Sequence, residues 1–284
     1  MTEKELIQEL IRLAFAEDIG DGDHTTLCTI PESEEGASKL LIKEEGVLAG
    51  VEIAIEVFHT FDPALKVEVF LHDGRKVKPG DIALIVSGKV RSILQTERLV
   101  LNIMQRMSGI ATITNAYMRL LEGTSAKVLD TRKTTPGMRL LEKQAVKIGG
   151  GENHRIGLFD MILLKDNHID FAGGIENAIR GAQHYLKENN KKLKIEIEVR
   201  SMTELEEALR IGGVDRIMLD NFTPEQTLEA VKRVKAWDKG LELESSGGIT
   251  IDTIRAYAET GVDYISVGAL THSVKSLDMS LKAI

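Results

Sequence analysis

The sequence predicts an α/β protein with an N-terminal α/β sandwich domain and a C-terminal open, incomplete TIM-like α/β barrel. In the first part, short alternating strands surround a helix, whereas from Lys127 onward about six apolar strands alternate with helices. This alternation predicts parallel strands joined by right-handed crossovers. Because these strands are fewer than a complete barrel contains, we expect the N-terminal domain or a partner chain to cover the open side.

The first part begins with an amphipathic helix within residues 1–20. One face of this helix carries Leu6, Ile7, Leu10, Ile11 and Phe15, with charged residues between them. The Gly/Asp-rich segment 17–26 predicts a loop after it. Alternating or helical patterns then predict strands and a helix at Ala37–Ile42 (strand), Val51–Phe61 (helix), Leu65–Leu71 (strand) and Ile82–Val86 (strand).

The segment 90–121 has a helical pattern that is interrupted at Ser108–Gly109, which predicts two helices joined at a bend. We interpret it as the boundary region between two domains. These domains are expected to span residues 1–112 and 113–274. The C-terminal tail, residues 275–284, is expected to pack back on the first domain.

The predicted barrel strands end on polar or small residues. These are Asp130, Lys165, Glu198, Asp220, Ser245 and Gly268. Helical segments are predicted after three of the strands, at Leu205–Ile211, Thr227–Trp237 and Ile251–Thr260. Polar ends on apolar strands are unfavourable unless they line the mouth of the sheet, where the catalytic groups of such barrels lie.

The composition limits the class of protein. The 284 residues are 43% apolar and carry a formal net charge of −8, which argues against a nucleic-acid or anionic-membrane partner because those partners select basic surfaces. Cys28 is the only cysteine, so an intramolecular disulfide is excluded and a cytoplasmic location is expected. No run resembles a signal peptide or a membrane span.

Three clusters place cations beside strand ends. TRKTT contains Arg132 and Lys133, GGGENHR contains His154 and Arg155, and ILLKDNH contains Lys165. Any one of these residues alone would indicate a solvated surface charge, but three clusters at one sheet edge predict a cationic pocket. Because unpaired buried cations are unfavourable, the pocket requires an anionic ligand. His154 is interpreted as a donor to that ligand rather than as a metal ligand.

Two carboxylates, Glu198 and Asp220, end neighbouring strands, and Glu196 points in the same direction as Glu198. Such oxygens bind Mg²⁺ or sugar hydroxyls. The alternative is a structural salt bridge to Lys165 or Arg132.

Glycine-bearing turns follow the last two strands, at Ser245–Ile249 and Ser266–Ser273. Loops in these positions often bind phosphate groups in barrels of this kind, so together they indicate a phosphorylated ligand. The sequence has neither a Walker A motif nor a Gly-x-Gly-x-x-Gly motif, which argues against nucleotide binding of those two types.

The chain closely resembles the quinolinate phosphoribosyltransferase family through motifs in the order TRKT, GGGENHR, ILLKDNH, IEIEV, IMLDN, ESSGGI and SVGALTHS. In the first half, the resemblance continues through EDIGDGDHTT and TERLVLNIMQRMSGIAT. It implies transfer of phosphoribosyl from phosphoribosyl pyrophosphate to quinolinate with decarboxylation, giving nicotinate mononucleotide, pyrophosphate and CO₂ in NAD biosynthesis. It also implies Mg²⁺ and a homodimer that shares its active sites between subunits and could assemble further.

The resemblance implies roles for the matching residues. The quinolinate carboxylates would be bound by Arg132, His154, Arg155 and Lys165, with Arg98 from the neighbouring subunit. The ribose, pyrophosphate and Mg²⁺ would face Lys133, Glu198 and Asp220, and the last two are the expected Mg²⁺ ligands, directly or indirectly. The 5′-phosphate would be held by Ser246, Gly247, Gly248, Gly268, Ala269 and Leu270, with His272 in contact with the phosphates. Thr131 completes the binding set, and the expected catalytic residues are Lys133, Lys165, Glu198 and Asp220.

Other functions are compatible with parts of this pattern. A lysine at a strand end, such as Lys165, could form a Schiff base in an aldolase. A binding protein for a phosphorylated anion would need the cations and the glycine turns but not Glu198 and Asp220. Related phosphoribosyltransferases, of the nicotinate type or associated with molybdate transport, would share the architecture.

Overall fold

The structure is a computed structural model that describes residues 2–238 and 240–284. The chain divides into two compact units. The first contains the residues up to Asn115, together with Thr134–Gly150 and Leu270–Ile284, and the second contains Ala116–Lys133 and Gly151–Ala269. Residues 134–150 thus group with the N-terminal part, although the sequence pattern places them in the barrel domain.

The helices and strands are numbered separately in chain order. The helices are α1 (Glu3–Ile19), α2 (His24–Thr29), α3 (Val51–Phe61), α4 (Val90–Leu120), α5 (Arg139–Ile148), α6 (Asp166–Ala172), α7 (Ile175–Glu188), α8 (Met202–Ile211), α9 (Pro224–Trp237), α10 (Ile254–Ala258) and α11 (Ala269–His272). The strands are β1 (Glu35–Ile42), β2 (Gly46–Val47), β3 (Lys66–Val69), β4 (Lys76–Val77), β5 (Ile82–Lys89), β6 (Lys127–Leu129), β7 (Ile162–Leu164), β8 (Ile195–Val199), β9 (Arg216–Asp220), β10 (Glu242–Ser246), β11 (Tyr264–Ser266) and β12 (Met279–Ala283).

The first unit contains a four-stranded antiparallel sheet in the order β12-β1-β5-β3. The C-terminal strand β12 pairs with β1, with Leu40 opposite Leu281. The segment 17–26 is not entirely a loop as expected, because α1 continues to Ile19 and α2 begins at His24. Asp23 caps α2 by accepting a hydrogen bond from the Thr26 backbone N–H, and this capping stabilises a helix within a glycine-rich stretch.

The expectation of two helices across residues 90–121 is wrong, since α4 is one helix of 31 residues. Ser108 and Gly109 serve packing instead of a bend. The Ser108 hydroxyl accepts the Ala49 backbone N–H at 2.9 Å, and a Cβ on Gly109 would lie only 3.0 Å from Val274 Cγ1. Small and hydroxyl-bearing side chains can therefore lie inside a helix where another segment approaches closely. No helix among the described residues has the length and apolar character needed to cross a membrane.

The second unit contains six parallel strands in the order β6-β11-β10-β9-β8-β7. In the described part of the chain the outer strands β6 and β7 do not pair with each other, so the sheet stays open as the sequence predicted. Every residue of β8 is buried, which fits a strand covered on both faces. Because all six strands run in the same direction, their carboxyl ends meet along one edge.

Candidate active site

A pocket opens at the carboxyl edge of the six-stranded sheet. It is lined by Thr131, Arg132, Lys133, His154, Arg155, Leu163, Lys165, Met218, Glu244, Ser246 and Ser266. All of these except Leu163, Met218, Glu244 and Ser266 belong to the set predicted from the sequence. They meet because they follow or end strands that are parallel neighbours.

The other predicted residues differ in position. Glu198 and Asp220 lie at the ends of β8 and β9, Gly247 and Gly248 follow β10, and Gly268 and Ala269 follow β11. Arg98 lies in α4, and Leu270 and His272 lie in α11. The last three belong to the first unit, whereas the lining residues of the pocket all belong to the second.

Arg155 is the most buried cation of the pocket. Its Nη1 donates a hydrogen bond to the Met161 carbonyl at 3.1 Å. The Asp160 carboxylate holds the loop that follows Arg155 by accepting the backbone N–H groups of Ile156 and Gly157 at 2.7 and 2.9 Å. Burial and the neighbouring Arg132 guanidinium lower the pKa of Arg155. Two like charges held together in this way favour an anion between them.

Glu198 and Asp220 lie at the strand ends beside this pocket, an edge that we call the mouth. Here negative charge predominates, in contrast to the cationic pocket. Burial and the nearby Asp220 carboxylate raise the pKa of Glu198, and Lys165 opposes this effect. The Lys165 Nζ lies 3.9 Å from Glu198 Oε2, and its side chain is 48% exposed. This is a loose contact rather than a tight structural salt bridge. The mouth therefore combines two negative side chains with one distant cation, an arrangement that favours a bound cation or a ligand that carries positive charge.

His154 lies below the mouth with both ring nitrogens in contact with protein groups. Its Nδ1 accepts the Arg155 backbone N–H at 2.7 Å, so Nε2 carries the ring proton. Nε2 lies 3.0 Å from Glu196 Oε2 and 3.5 Å from Glu244 Oε2. The ring thus contacts these buried carboxylates, an environment that its assignment as a ligand donor did not anticipate.

Glu196 and Glu244 form a buried acidic pair with few exposed atoms. Burial raises the pKa of Glu196 to about 7, and burial together with repulsion from Glu196 raises the pKa of Glu244 to about 7. Arg216 balances part of this charge, with Nη1 3.2 Å from Glu244 Oε2 and its guanidinium 4.0 Å from the centre of the Tyr264 ring. We call His154, Glu196, Arg216 and Glu244 the inner cluster.

Two groups of side chains could bind a metal ion. The candidate ligand atoms of His154, Glu196 and Glu244 lie within 4.8 Å of one another, but Arg216 already supplies positive charge to them. Glu198 and Asp220 offer carboxylate oxygens, the ligands that Mg²⁺ prefers, and their mutual repulsion would be relieved by a cation. The mouth carboxylates therefore fit Mg²⁺ better than the inner cluster does.

The turn after β10 has the backbone that its glycines permit. Gly247 and Gly248 have φ values of +98° and +60°, in the region that side chains disfavour. A Cβ on Gly247 would lie 2.7 Å from Asn221 Cγ, whereas one on Gly248 would meet no atom within 4 Å. A side chain at position 247 would therefore clash with Asn221, whereas at position 248 only the backbone conformation favours glycine.

Sequence reasoning missed Arg216, Asn221 and Glu244. Glu244 lies two residues before Ser246 on the same strand, so strand alternation could have placed it on the pocket side of the sheet. Arg216 begins β9 and gave no signal, because a charged residue at the start of a strand usually reaches solvent.

The chain matches two family models over most of its length. They are the N-terminal domain of quinolinate phosphoribosyl transferase, over residues 23–108, and its C-terminal domain, over residues 110–282. Two curated relatives are a Nicotiana tabacum protein named quinolinate phosphoribosyltransferase [decarboxylating] 1b, 45% identical over 97% of this chain and 82% of its own length, and a Bacillus subtilis protein named probable nicotinate-nucleotide pyrophosphorylase [carboxylating], 41% identical over 97% and 92%.

Solved structures of related proteins have the same fold. NadC from Streptococcus pyogenes is 40% identical, with a TM-score of 0.91 over 100% of this chain and 99% of its own. Human nicotinic acid phosphoribosyltransferase is 13% identical with a TM-score of 0.62 over 100% of this chain and 74% of its own, which indicates a shared fold alone. The chain belongs to the quinolinate phosphoribosyltransferase family.

Proposed function

We propose that this protein transfers the phosphoribosyl group of phosphoribosyl pyrophosphate to quinolinate, with release of pyrophosphate and CO₂ and formation of nicotinate mononucleotide. The observation that carries this proposal is the pairing, at one sheet edge, of a cationic pocket with two carboxylates at its mouth. A dicarboxylate matches the cations, and a sugar that becomes positively charged during reaction matches the carboxylates.

The cationic side of the pocket binds the quinolinate carboxylates in this proposal. Arginine suits this role because its planar guanidinium can bind a carboxylate through two parallel hydrogen bonds. Arg155 is held by the Met161 carbonyl and lies beside Arg132, so the two can contact one dianion with little loss of side-chain freedom. Lys165 and Lys133 line the same pocket and add charge toward its mouth.

The sugar reacts at the mouth. The pyridine nitrogen attacks the anomeric carbon as the bond to pyrophosphate breaks, and the positive charge that develops on the ribose is stabilised by Glu198 and Asp220. Mg²⁺ held by these carboxylates, directly or through water, would neutralise the pyrophosphate leaving group. The turns at Ser246–Gly248 and Gly268–Leu270 would bind the 5′-phosphate through backbone N–H groups.

Decarboxylation follows from the quaternised ring. The positively charged nitrogen withdraws electrons, so the bond between the adjacent ring carbon and its carboxylate breaks, CO₂ leaves, and the electron pair stays on the ring carbon. A proton then adds to that carbon. The protein contributes by holding the remaining carboxylate and the ring in place with Arg132 and Arg155.

We further propose a homodimer in which Arg98 of one subunit completes the pocket of the other. Leu158 and Phe159, three and four residues after Arg155, are 72% and 73% exposed, and such apolar side chains favour a covering partner. Further assembly of dimers is compatible with this arrangement. For location, the single free Cys28 supports a reducing compartment, and we propose the cytoplasm.

Parallel assays with quinolinate, nicotinate and nicotinamide test the proposed reaction. Each is incubated with phosphoribosyl pyrophosphate and Mg²⁺, and products are measured by mass spectrometry. We expect one nicotinate mononucleotide, one pyrophosphate and one CO₂ per quinolinate consumed. Turnover of nicotinate without turnover of quinolinate would instead identify a nicotinate-type enzyme, and binding without turnover would identify a phospho-anion binding protein.

A mixture of two inactive variants tests the shared site. Arg98→Ala and Arg132→Ala should each be nearly inactive, but in a mixed dimer one site collects both changes and the other collects neither. Random pairing should therefore restore about a quarter of all sites, as two-fold symmetry requires. Heterodimers that form, as judged by native mass spectrometry, but remain inactive would show that Arg98 does not act across the interface.

A further inference from the structure

Asn221, the residue after β9, has an unusual backbone conformation. Its φ is +56°, and among the described residues the one other non-glycine residue with a positive φ is Asn190, at +47°. Side chains disfavour this left-handed region, and asparagine tolerates it better than most residues. Glycine would adopt it with less strain, so the role of the side chain at position 221 depends on what its amide contacts.

The Asn221 side-chain amide contacts the Asp220 carboxylate and the turn that follows β10. Its Nδ2 donates a hydrogen bond to Asp220 Oδ2 at 2.7 Å. Its Cγ lies 2.7 Å from the position that a Cβ on Gly247 would occupy, so the amide fills the space above that glycine. The Asn221 backbone N–H also donates to the Ser246 carbonyl at 2.9 Å, which fixes the end of β9 against the end of β10.

These contacts matter because the last torsion of an aspartate side chain otherwise has only a broad, roughly two-fold preference. Among the described residues, the Asn221 amide is the side-chain donor that bonds the Asp220 carboxylate. This bond favours one orientation of the carboxylate plane, in which Oδ1 accepts no bond from the Asn221 amide. The glycine turn beside it has a backbone that the same amide constrains.

We infer that Asn221 is a positioning residue for the sugar-phosphate substrate: it orients the Asp220 carboxylate and keeps it in register with the Ser246–Gly248 turn. This inference rests on the proposed function, in which Asp220 faces the ribose and the turn binds the 5′-phosphate. Asn221 acts through those groups and not on the pyridine substrate. Loss of its amide should therefore impair the use of phosphoribosyl pyrophosphate more than the use of quinolinate.

Asn221→Gly tests the inference because it retains the left-handed backbone and removes only the amide. The matched control is Asn190→Gly, which makes the same change at the same kind of backbone position after α7. Among the described residues its side-chain amide makes no hydrogen bond, and its backbone N–H donates to the Lys187 carbonyl at 3.3 Å. Asn221→Asp is the second variant, because it retains the size of the side chain but replaces the donor by a second carboxylate beside Asp220.

We expect Asn221→Gly to lower kcat/KM for phosphoribosyl pyrophosphate about threefold to tenfold, the range for loss of one hydrogen bond that is exposed to solvent. The KM for quinolinate and the melting temperature should match those of Asn190→Gly. Asn221→Asp should be at least as impaired, since filling the space is not sufficient. Calorimetry of phosphoribosyl pyrophosphate with Mg²⁺ should show the same ranking of affinities.

Two outcomes would overturn the inference. One is an Asn221→Gly variant that binds and uses phosphoribosyl pyrophosphate as well as Asn190→Gly does. The other is an equal loss for both substrates together with a lower melting temperature, which would indicate a general structural role. If the parent protein binds phosphoribosyl pyrophosphate but leaves quinolinate unchanged, the proposed function fails, and the calorimetric comparison of the two variants still decides the inference.

Discussion

Strand β8 places Glu196 and Glu198 on the same face, two residues apart, but in contrasting surroundings. Glu196 belongs to the inner cluster, where His154 Nε2 lies 3.0 Å from its Oε2 and the Arg216 charge opposes the rise of its pKa. Glu198 lies at the mouth beside Asp220, with Lys165 as a loose partner. Arg216 therefore balances part of the charge of the inner cluster within the chain, whereas the carboxylates at the mouth have, among the described residues, only Lys165 as a cationic neighbour. The same residue type is thus enclosed by protein at one position and open to a ligand two residues later.

The largest expected effect is on stability at the inner cluster. Glu244→Ala removes a fully buried partner of Arg216, and breaking a buried pair from one side destabilises a protein by roughly 3–5 kcal/mol. Arg216 keeps its hydrogen bonds to Glu242, so a loss of about 3 kcal/mol, the lower end of that range, is expected. Urea unfolding measures it. A loss below about 1 kcal/mol would show that the pair is not a structural element.

The mouth should show the opposite pattern. In the proposed reaction the Asp220 charge stabilises the reacting sugar, so Asp220→Asn should lower kcat by about a hundredfold, the scale of losing one preorganised electrostatic contact. The free energy of unfolding should stay equal or rise, because Glu198 loses a repulsive neighbour. Steady-state kinetics and urea unfolding on the same sample check both. Full activity, or a clear loss of stability, would contradict the distinction between the inner cluster and the mouth.

The inner cluster should also make the stability of the protein depend on pH. Because the pKa of Glu244 is raised to about 7 from an ordinary value of 4.5, the folded state binds more protons than the unfolded state between these values. This contribution is fully present below about pH 4.5 and is lost as pH rises to about 7. Glu196, His154 and Arg216 face the carboxyl group and modulate the effect.

Glu244→Gln tests this dependence, since it retains the shape and removes the titration. The stability difference between parent and variant should shift against the parent as pH rises from about 4.5 to about 7. Chemical unfolding at several pH values measures it. Glu242→Gln is the control, because the pKa of Glu242 is shifted the other way. Burial raises that pKa, but the charges of Arg216 and Lys194 outweigh burial and lower it, so this variant should not show the same loss with rising pH. Parallel curves for parent and Glu244→Gln would contradict the assignment.

The same contrast explains what the sequence could predict. Mouth residues follow apolar strands, so Glu198, Asp220 and Lys165 could be located from strand ends alone, and family motifs then added roles. The inner cluster depends on which strands become neighbours: Arg216 reaches Glu244 only because β9 and β10 pair in parallel. Likewise, Ser108 and Gly109 predict a break from local preference, but the helix is continuous there and both residues pack against Ala49 and Val274. Tertiary contacts of this kind leave little local signal.

The smallest expected effect lies at the exposed ion pair of Lys194 with Glu242, the carboxylate that also pairs with Arg216 of the inner cluster. Lys194 Nζ lies 3.3 Å from Glu242 Oε2, but its side chain is 58% exposed, so water and salt screen the pair. Lys194→Ala should change the free energy of unfolding by less than about 1 kcal/mol, as exposed pairs generally do. The same carboxylate also accepts hydrogen bonds from Arg216, which holds it in place without the lysine. Measurements at low and high salt sharpen the test: the small loss should shrink further in high salt. A loss comparable to that of Glu244→Ala would mean that the exposed Lys194–Glu242 pair stabilises the fold as much as the buried Arg216–Glu244 pair does, and that burial does not separate the two kinds of ion pair.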